Sequence, residues 1–288
     1  MQPNPILAAI TRGPVIRPPR LIIVGEPKIG KSTWAAQAAA PVILPVKGEE
    51  GVDAIDAAKL PTARTFADAL AALSALREEP HDFKTVVIDS VSALEPLLWD
   101  ETCRRNQWQS IEQGYARGYI EALTEWRQVL DLLDALRTER GMTSIIIGHA
   151  KIRTVSTPET EPFDAWAIDL DGRAAALLSR WADFVGFAGR QLRVRHTDLA
   201  KANSKHGDTS AERVAMDSGE RYLFTQRTAT HPGGGRGAYG RLPDALPLDM
   251  AAFRAAVKAV FDADKAARDS AQNAQTESNE TTNTDNKE

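Results

Sequence analysis

The segment "VGEPKIGKST", residues 24–33, is the strongest indication of the fold of this chain. Its two glycines, followed by a lysine and a serine, have the spacing G-x-x-x-x-G-K-[ST] of a phosphate-binding P-loop. Such a loop needs a strand before it and a helix after it, and the apolar run 21–24 and the segment "KSTWAAQAAA" supply both. We therefore predict a strand, a nucleotide-binding loop and a helix that Pro41 ends, in preference to an ordinary Gly-Pro turn.

Each part of this loop has an expected role toward ATP and Mg²⁺. Glycine at positions 25 and 30 lets backbone N–H groups approach phosphate oxygens without an intervening side chain. Lys31 should reach the β- and γ-phosphates, and the Ser32 hydroxyl should bind Mg²⁺. The predicted nucleotide-binding residues are Gly25, Glu26, Pro27, Lys28, Ile29, Gly30, Lys31, Ser32 and Thr33.

The composition indicates a globular protein with one large domain. Of the 288 residues, 43% are hydrophobic and 26% are charged, which is typical of soluble domains. No apolar run approaches the roughly 20 residues of a membrane span, and no signal peptide opens the chain. The single cysteine, Cys103, cannot form an internal disulfide, which favours a reducing cytoplasm.

We predict three regions along the chain. Residues 1–19 are rich in proline and indicate an extended N-terminal arm, and residues 20–262 form the ATPase domain. Residues 263–288 are predicted to be a disordered acidic tail, because "SAQNAQTESNETTNTDNKE" has no apolar residue beyond alanine. The tail from Asp269 carries all of the net charge of −4, so a case for nucleic-acid binding must rest on local patches.

Strand and helix patterns alternate through most of the chain, which predicts an α/β fold with a mainly parallel central sheet and helices on both faces. A helix with Thr65 as its N-cap follows the second strand. The predicted order continues with a third strand "FKTVVIDS", helices over 91–111 and 119–140, a fourth strand "TSIIIGHAK", a loop over 152–168, a helix "DGRAAALLSRW", a fifth strand "ADFVGFAG" and a further strand "ERYLFTQRT".

Asp89 ends the apolar strand 86–88 in the manner of a Walker B motif. Ligands bind at the carboxyl edge of parallel sheets, so Asp89 can face the Mg²⁺ held by Ser32. The alternative is an aspartate that only caps the next helix.

Water attack also needs a base, and the residue after Asp89 is Ser90, where many motor ATPases carry a glutamate. The candidates lie after the second strand, where Glu49 or Glu50 is favoured over Asp53. At the end of the fourth strand, His149 lies at the same sheet edge and could contact the γ-phosphate. A structural histidine is the alternative.

These motifs together resemble the RecA-like ATPases, and most closely the phage-type nucleotide-binding proteins of the Sak single-strand annealing group. The shared segments span roughly residues 20–260 and are "GEPKIGKST", "KTVVIDSVSALEPLLWDETCRR", "GYARGYIEALTEWRQVLDLLDALRTERGMTSIIIGHAK", "DLDGRAAALLSRWADFVGFAG" and "YGRLPDALPLDMAAF". The resemblance implies a RecA-type core with a catalytic glutamate matched by Glu49 and a polar γ-phosphate sensor matched by His149. RecA itself carries glutamine at the sensor position.

The resemblance also implies partners. RecA-like ATPases bind nucleotide between subunits, so we expect a homo-oligomer in which Arg236 completes a neighbour's site, with Arg227 and Arg241 as competing candidates. Loops after the third and fourth strands face single-stranded DNA in such proteins. The predicted DNA-binding residues are Arg104, Arg105, Trp108, Arg117, Lys151 and Arg153.

The sequence therefore predicts a cytoplasmic, RecA-like, Mg²⁺-dependent ATPase that binds single-stranded DNA and promotes annealing or strand exchange. A small-molecule kinase would use the same P-loop, but we find no acceptor pocket or lid arginine in the sequence. A nucleotide-dependent scaffold that does not hydrolyse ATP is the third possibility.

Overall fold

The apolar run before the P-loop forms the central strand of the sheet. In a computed structural model of the chain, which describes residues 4, 6, 9–10, 15–197 and 212–284, this strand is β1, Arg20–Gly25. Its residues Leu21 to Gly25 are buried. Burial of both alternating sets of side chains is what a strand covered by helices on both faces requires.

The remaining elements follow in chain order. They are α1 Lys31–Ala36, β2 Pro41–Pro45, a 3-10 turn Glu50–Ala54, β3 Ala58–Lys59, α2 Phe66–Glu78, β4 Thr85–Asp89, α3 Val91–Asn106, short helical turns α4 Gln113–Ala116 and α5 Gly118–Glu121, α6 Leu123–Glu139, β5 Thr143–Thr157, β6 Thr160–Ile168, α7 Gly172–Trp181, β7 Phe184–Thr197, β8 Glu212–Phe224, β9 Gly234–Gly235, a 3-10 turn Gly237–Arg241, β10 Ala245–Pro247 and α8 Met250–Thr284.

The central sheet has the strand order β10-β8-β7-β1-β5-β4-β2-β3. Strands β7, β1, β5, β4, β2 and β3 run parallel, whereas β8 and β10 continue the sheet in antiparallel fashion. This arrangement confirms the predicted α/β class, with a mainly parallel central sheet and helices on both faces. It brings the ends of β1, β4 and β5 to one edge, where ligands bind in open parallel sheets.

Two hydrophobic layers cover the sheet. One contains Leu73 of α2, Leu94 of α3 and Leu133 of α6, and the other contains Trp34 of α1 and Phe253 of α8. The Trp34 and Phe253 rings meet edge to face, with centroids 5.4 Å apart. The layers fix the helices that follow the P-loop and the Walker B strand, so both motifs are held on a rigid core.

The predicted helix start at Thr65 is confirmed. The Thr65 hydroxyl accepts a hydrogen bond from the Asp68 N–H at 3.2 Å, and Asp68 accepts one from the Thr65 N–H at 2.9 Å, which completes a capping box.

Other predictions differ from the structure. Residues 152–168, predicted as a loop, form most of the β5–β6 hairpin, in which Val155 pairs with Phe163 and the Thr154 hydroxyl donates to Asp164 at 2.8 Å. A cross-strand partner stabilises this polar segment, and such a partner is invisible to local patterns. Helix α1 ends at Ala36, well before Pro41, which instead begins β2.

The chain ends also differ from the prediction in part. Residues 263–284 continue α8, whereas the sequence predicted disorder from 263. Alanine, glutamate and lysine favour helix even where no core is available. The prediction of disorder gave more weight to the lack of apolar residues than to this helix preference. Residues 285–288 and most of the predicted N-terminal arm lie outside the described residues. No helix in the described part of the chain is long and apolar enough to cross a membrane.

Candidate nucleotide site

The P-loop joins β1 to α1 and is held close to neighbouring strands. A Cβ atom on Gly25 would lie 2.3 Å from the carbonyl oxygen of Ala188, so a side chain cannot be accommodated there. Gly30 has φ of +110°, a conformation that L side chains rarely adopt. The two glycines of the motif are therefore required by the geometry of the loop itself.

Lys31 lies inside the loop. Its ammonium donates hydrogen bonds to the carbonyl oxygens of Gly25 and Glu26, both at 2.8 Å, and the residue is buried. Burial lowers the pKa of Lys31 to about 8, although the nearby carboxylates of Asp89, Glu49 and Glu26 oppose this effect. A phosphate in the loop would add negative charge beside Lys31 and so favour its protonated form.

Asp89 and Ser32 form a pair suited to Mg²⁺. Asp89 ends β4 and is buried, and its carboxyl group lies near the Ser32 side chain. Burial raises the pKa of Asp89, and the nearby Ser32 side chain partly offsets that rise. The Oδ2 atom of Asp89 is buried with no hydrogen-bond partner. A hydroxyl and an unsatisfied carboxylate oxygen are hard ligands of the kind that Mg²⁺ prefers, so these residues fit the ion.

Glu49 and His149 meet in front of this pair. Glu49 follows β2, and its Oε1 accepts a hydrogen bond from the Ser90 hydroxyl at 2.5 Å and lies 2.7 Å from Nε2 of His149. Burial alone would raise the pKa of Glu49, but the hydrogen bonds to His149 and Ser90 outweigh it and lower the pKa. Glu49 is therefore ionised at neutral pH.

His149 occupies a defined place in the sheet. In the parallel register it is the Cα partner of Gly25, the first P-loop glycine, and its backbone N–H donates to Oγ of Ser92 at 3.0 Å. Its Nδ1 atom is buried and has no partner. The side chain therefore lies between the base candidate and the loop that would hold the phosphates. The side chain of Glu50, the alternative base, lies outside the described part of the structure, and Asp53 is exposed.

A comparison with protein families identifies the family of this chain. A family model described as an AAA domain, AAA_24, matches residues 17–237. The chain belongs to the AAA_24 family. A comparison with curated proteins gave no match.

Among many matching solved structures is a crystal structure of the RadB recombinase, with 13% sequence identity, a TM-score of 0.38, and coverage of 73% of this chain and 90% of that one. A match at this TM-score does not assign a function to this chain. The AAA_24 match and the P-loop geometry support a P-loop ATPase domain, for which nucleotide binding is expected.

Arg236 of this AAA_24 domain lies far from its own P-loop. It follows β9, which pairs with the first residues of β7. These residues lie at the edge where the parallel strands begin, opposite the edge that carries the P-loop. The backbone N–H of Arg236 donates to the carbonyl oxygen of Asp183 at 2.8 Å. Its guanidinium contacts Asp183 and the carbonyl oxygen of Arg180. Arg236 therefore cannot reach the nucleotide of its own chain. Of the competing candidates, Arg241 is paired with Asp264, and Arg227 is exposed after β8.

The predicted DNA-binding residues all lie on or near the surface of the AAA_24 domain, but each cation has an internal partner. Trp108 is half-buried. The contacts are Arg104 with Glu101 at 2.6 Å, Arg105 with Glu125 at 3.0 Å, Arg117 with Glu121 at 3.3 Å, Lys151 with Asp169 at 2.7 Å, and Arg153 with the carbonyl oxygen of Leu170 at 3.3 Å.

These pairs are not equivalent. Arg104 and Arg117 are about three-quarters exposed, and exposed ion pairs contribute little, so a phosphate could replace either partner. Arg105 differs because Glu125 is buried and also accepts a hydrogen bond from Thr102 at 3.1 Å. Removing Arg105 would leave a buried charge unpaired. Its evident role is structural.

Sequence reasoning missed two groups in this domain. Arg221 of β8 reaches the P-loop, where its Nη1 donates to the carbonyl oxygen of Ile29 at 3.2 Å. Glu95 of α3 is buried and accepts the backbone N–H of Asp171 at 2.9 Å and 3.0 Å, and burial raises its pKa to about 7. Neither contact has a local signal, because each joins segments more than 70 residues apart.

Proposed function

We propose that this protein is an ATP-dependent single-stranded-DNA-binding protein of the Sak type that promotes annealing or strand exchange in phage-type recombination. One observation carries the ATPase part of this proposal: Lys31, Ser32, Asp89, Glu49 and His149 converge at one edge of the sheet. These are the groups that phosphoryl transfer to water requires, namely a cation for the phosphates, Mg²⁺ ligands, a base and a polar sensor.

Each side chain has a distinct task in hydrolysis. Lys31 exchanges the carbonyl oxygens of Gly25 and Glu26 for phosphate oxygens, and the P-loop N–H groups hold the β-phosphate. Ser32 and Asp89 would hold Mg²⁺, which neutralises charge on the transferred phosphoryl group. The ionised Glu49 orients the attacking water and accepts its proton.

His149 connects hydrolysis to the rest of the domain. In the structure its Nε2 contacts Glu49, and we propose that a γ-phosphate draws the imidazole away from this carboxylate. That exchange frees Glu49 for water at the moment when the triphosphate is present. Residues 20–262 are the unit to which we assign this activity.

The DNA part of the proposal rests on the resemblance to the Sak group, on the exposed Arg104 and Arg117, and on an exposed aromatic, Tyr115, two positions before Arg117 in the chain. Arginine can contact phosphates, and an exposed ring can stack on an unpaired base. We further propose a homo-oligomer in which Arg236 serves the neighbouring site, and a location in the host cytoplasm.

ATP turnover measured with and without single-stranded DNA tests this function. We expect DNA to stimulate phosphate release in the wild-type protein and expect no release from Lys31→Ala. Turnover that depends on a small acceptor, with no effect of DNA, would contradict the proposal and favour a kinase.

A further inference from the structure

The catalytic groups all lie on one side of the central strand. Asp89 belongs to β4, His149 to β5 and Glu49 follows β2, and in the sheet these strands are on the β5 side of β1. Strands β7 and β8 are on the other side. If the P-loop binds a nucleoside triphosphate, as the proposed function requires, its terminal phosphate points toward the β5 side. The nucleoside must then extend toward β7 and β8.

Arg221 lies where that end of the nucleotide would leave the loop. Its Nη1 would be 2.8 Å from a Cβ atom on Gly30, so the guanidinium lies directly against the P-loop. Leu223, two residues further along β8, packs in the same buried cluster as Ile29 and Trp34. Alternate residues of a strand share a face, so the face of β8 that carries Arg221 is the face that meets the loop and α1.

The guanidinium of Arg221 is well placed for a ligand. Within the described residues its one hydrogen bond is the contact with the carbonyl oxygen of Ile29, and it has no carboxylate partner there. The residue is exposed. A guanidinium has five N–H donors and a planar surface that stacks on aromatic rings, so most of its binding capacity remains available.

Leu248 adds an apolar contact at the same place. Its Cδ2 atom would lie 3.8 Å from a Cβ on Gly30, and its N–H donates to the carbonyl oxygen of Arg221 at 2.9 Å. A cavity of about 390 Å³ opens beside these two residues, and its lining is Gly219, Glu220, Arg221, Tyr222, Pro247 and Leu248. Small-ligand pockets span roughly 300–1,000 Å³, so the cavity can hold a base and a ribose.

We propose that the nucleoside end of the bound nucleotide lies against Arg221 and Leu248, with the guanidinium donating to the ribose and the base resting on the leucine. The two residues then select a nucleotide over a bare polyphosphate. Lys31, whose ammonium lies against the carbonyl oxygens of Gly25 and Glu26, holds the phosphates of either ligand.

Calorimetric titration with Mg·ATP and with Mg·tripolyphosphate separates these roles. We expect Arg221→Ala to weaken ATP binding by about tenfold or more, as for the loss of a hydrogen bond to a charged group, and to leave tripolyphosphate binding unchanged. Lys31→Ala should weaken both ligands. Arg254→Ala, which removes an exposed arginine from α8, is the matched control and should weaken neither.

Each other outcome has a definite meaning. If Lys31→Ala affects neither ligand, the proposed function fails. If Lys31→Ala weakens both but Arg221→Ala weakens neither, only the nucleoside assignment fails. If Arg221→Ala weakens both ligands equally, Arg221 is a phosphate ligand and the assignment is also wrong.

Photolabelling with 8-azido-ATP gives a second measurement that does not depend on any variant. The azide marks the surroundings of the base, and we expect the label on peptides that contain residues 219–222 or 247–248. Label confined to other peptides would overturn the proposal.

Discussion

Replacing Glu49 with glutamine tests the assignment of the hydrolytic base with little disturbance of the site. The glutamine oxygen can still accept hydrogen bonds from Ser90 and from His149, which lie 2.5 Å and 2.7 Å from Oε1 of Glu49. What the change removes is the negative charge and the ability to take a proton. Because the glutamine can keep both hydrogen bonds, we expect the free energy of unfolding to change by only about 1 kcal/mol.

The effect on turnover should be far larger than the effect on stability. General-base catalysis contributes about 10²–10⁴ in rate, so phosphate release at saturating Mg·ATP should fall by that factor, or by ~3–5 kcal/mol in the barrier. ATP affinity should stay the same or rise, because a carboxylate that repels the triphosphate has been removed. Stopped-flow phosphate release and equilibrium ATP binding measure the two quantities on the same sample.

Glu50→Gln and Asp53→Asn are the matched controls, since each removes one negative charge from the same segment. Both should keep wild-type turnover. If Glu49→Gln retains turnover within threefold of wild type, the reasoning from its position is refuted. If Glu50→Gln alone loses turnover, the base is the adjacent glutamate.

Three further predictions address coupling, pH and assembly. His149→Ala should reduce the difference in DNA affinity between the ATP-bound and ADP-bound protein, measured by fluorescence anisotropy, and an unchanged difference would make His149 structural. Folding raises the pKa of Glu95 to about 7, so the native state binds a proton more tightly than the unfolded chain does. Glu95 should therefore destabilise the fold as the pH rises from about 4.5 to above 7. Glu95→Gln should therefore gain about 2–3 kcal/mol relative to wild type between pH 4 and pH 8 in urea unfolding, and parallel pH curves would contradict this. Lys31→Ala and Arg236→Ala proteins, each inactive alone, should recover about a quarter of wild-type activity when mixed, and no recovery despite co-assembly would exclude Arg236 acting in trans.

The sequence predicted the parts of the fold that depend on local patterns. The P-loop, the Walker B strand that ends at Asp89 and the cap at Thr65 each combine residues within ten positions of one another. The β5–β6 hairpin was predicted as a loop because its pairing, for example Val155 with Phe163, becomes visible only when both strands are present. Arg221 was missed for the same reason, since its partner Ile29 is far away in the chain.

The relative positions of two candidate site residues could be predicted because topology constrains distance. Strands that run parallel must end at the same edge, so Asp89 and His149 could be expected together from the sequence alone. The same reasoning could not place Arg236. The glycine-rich segment that carries it has no pattern that indicates at which edge of the sheet it lies. Its contact with Asp183 at the far edge depends on β9 pairing with the start of β7.

The position of His149 explains how a phosphate contact could influence distant residues. At His149 the pairing of β5 with β1 ends, and at Ala150 the pairing with β6 begins, so this residue joins the rigid sheet to the hairpin that carries Lys151 and Arg153. In the proposed mechanism the imidazole of His149 exchanges Glu49 for a γ-phosphate, so its contact would differ between the ATP-bound and ADP-bound states. A ligand can shift an equilibrium only through contacts that differ between states. We therefore expect that any effect of nucleotide on hairpin mobility disappears in His149→Ala, as measured by hydrogen exchange at residues 150–168. If the effect of nucleotide persists in this variant, the coupling runs through other residues.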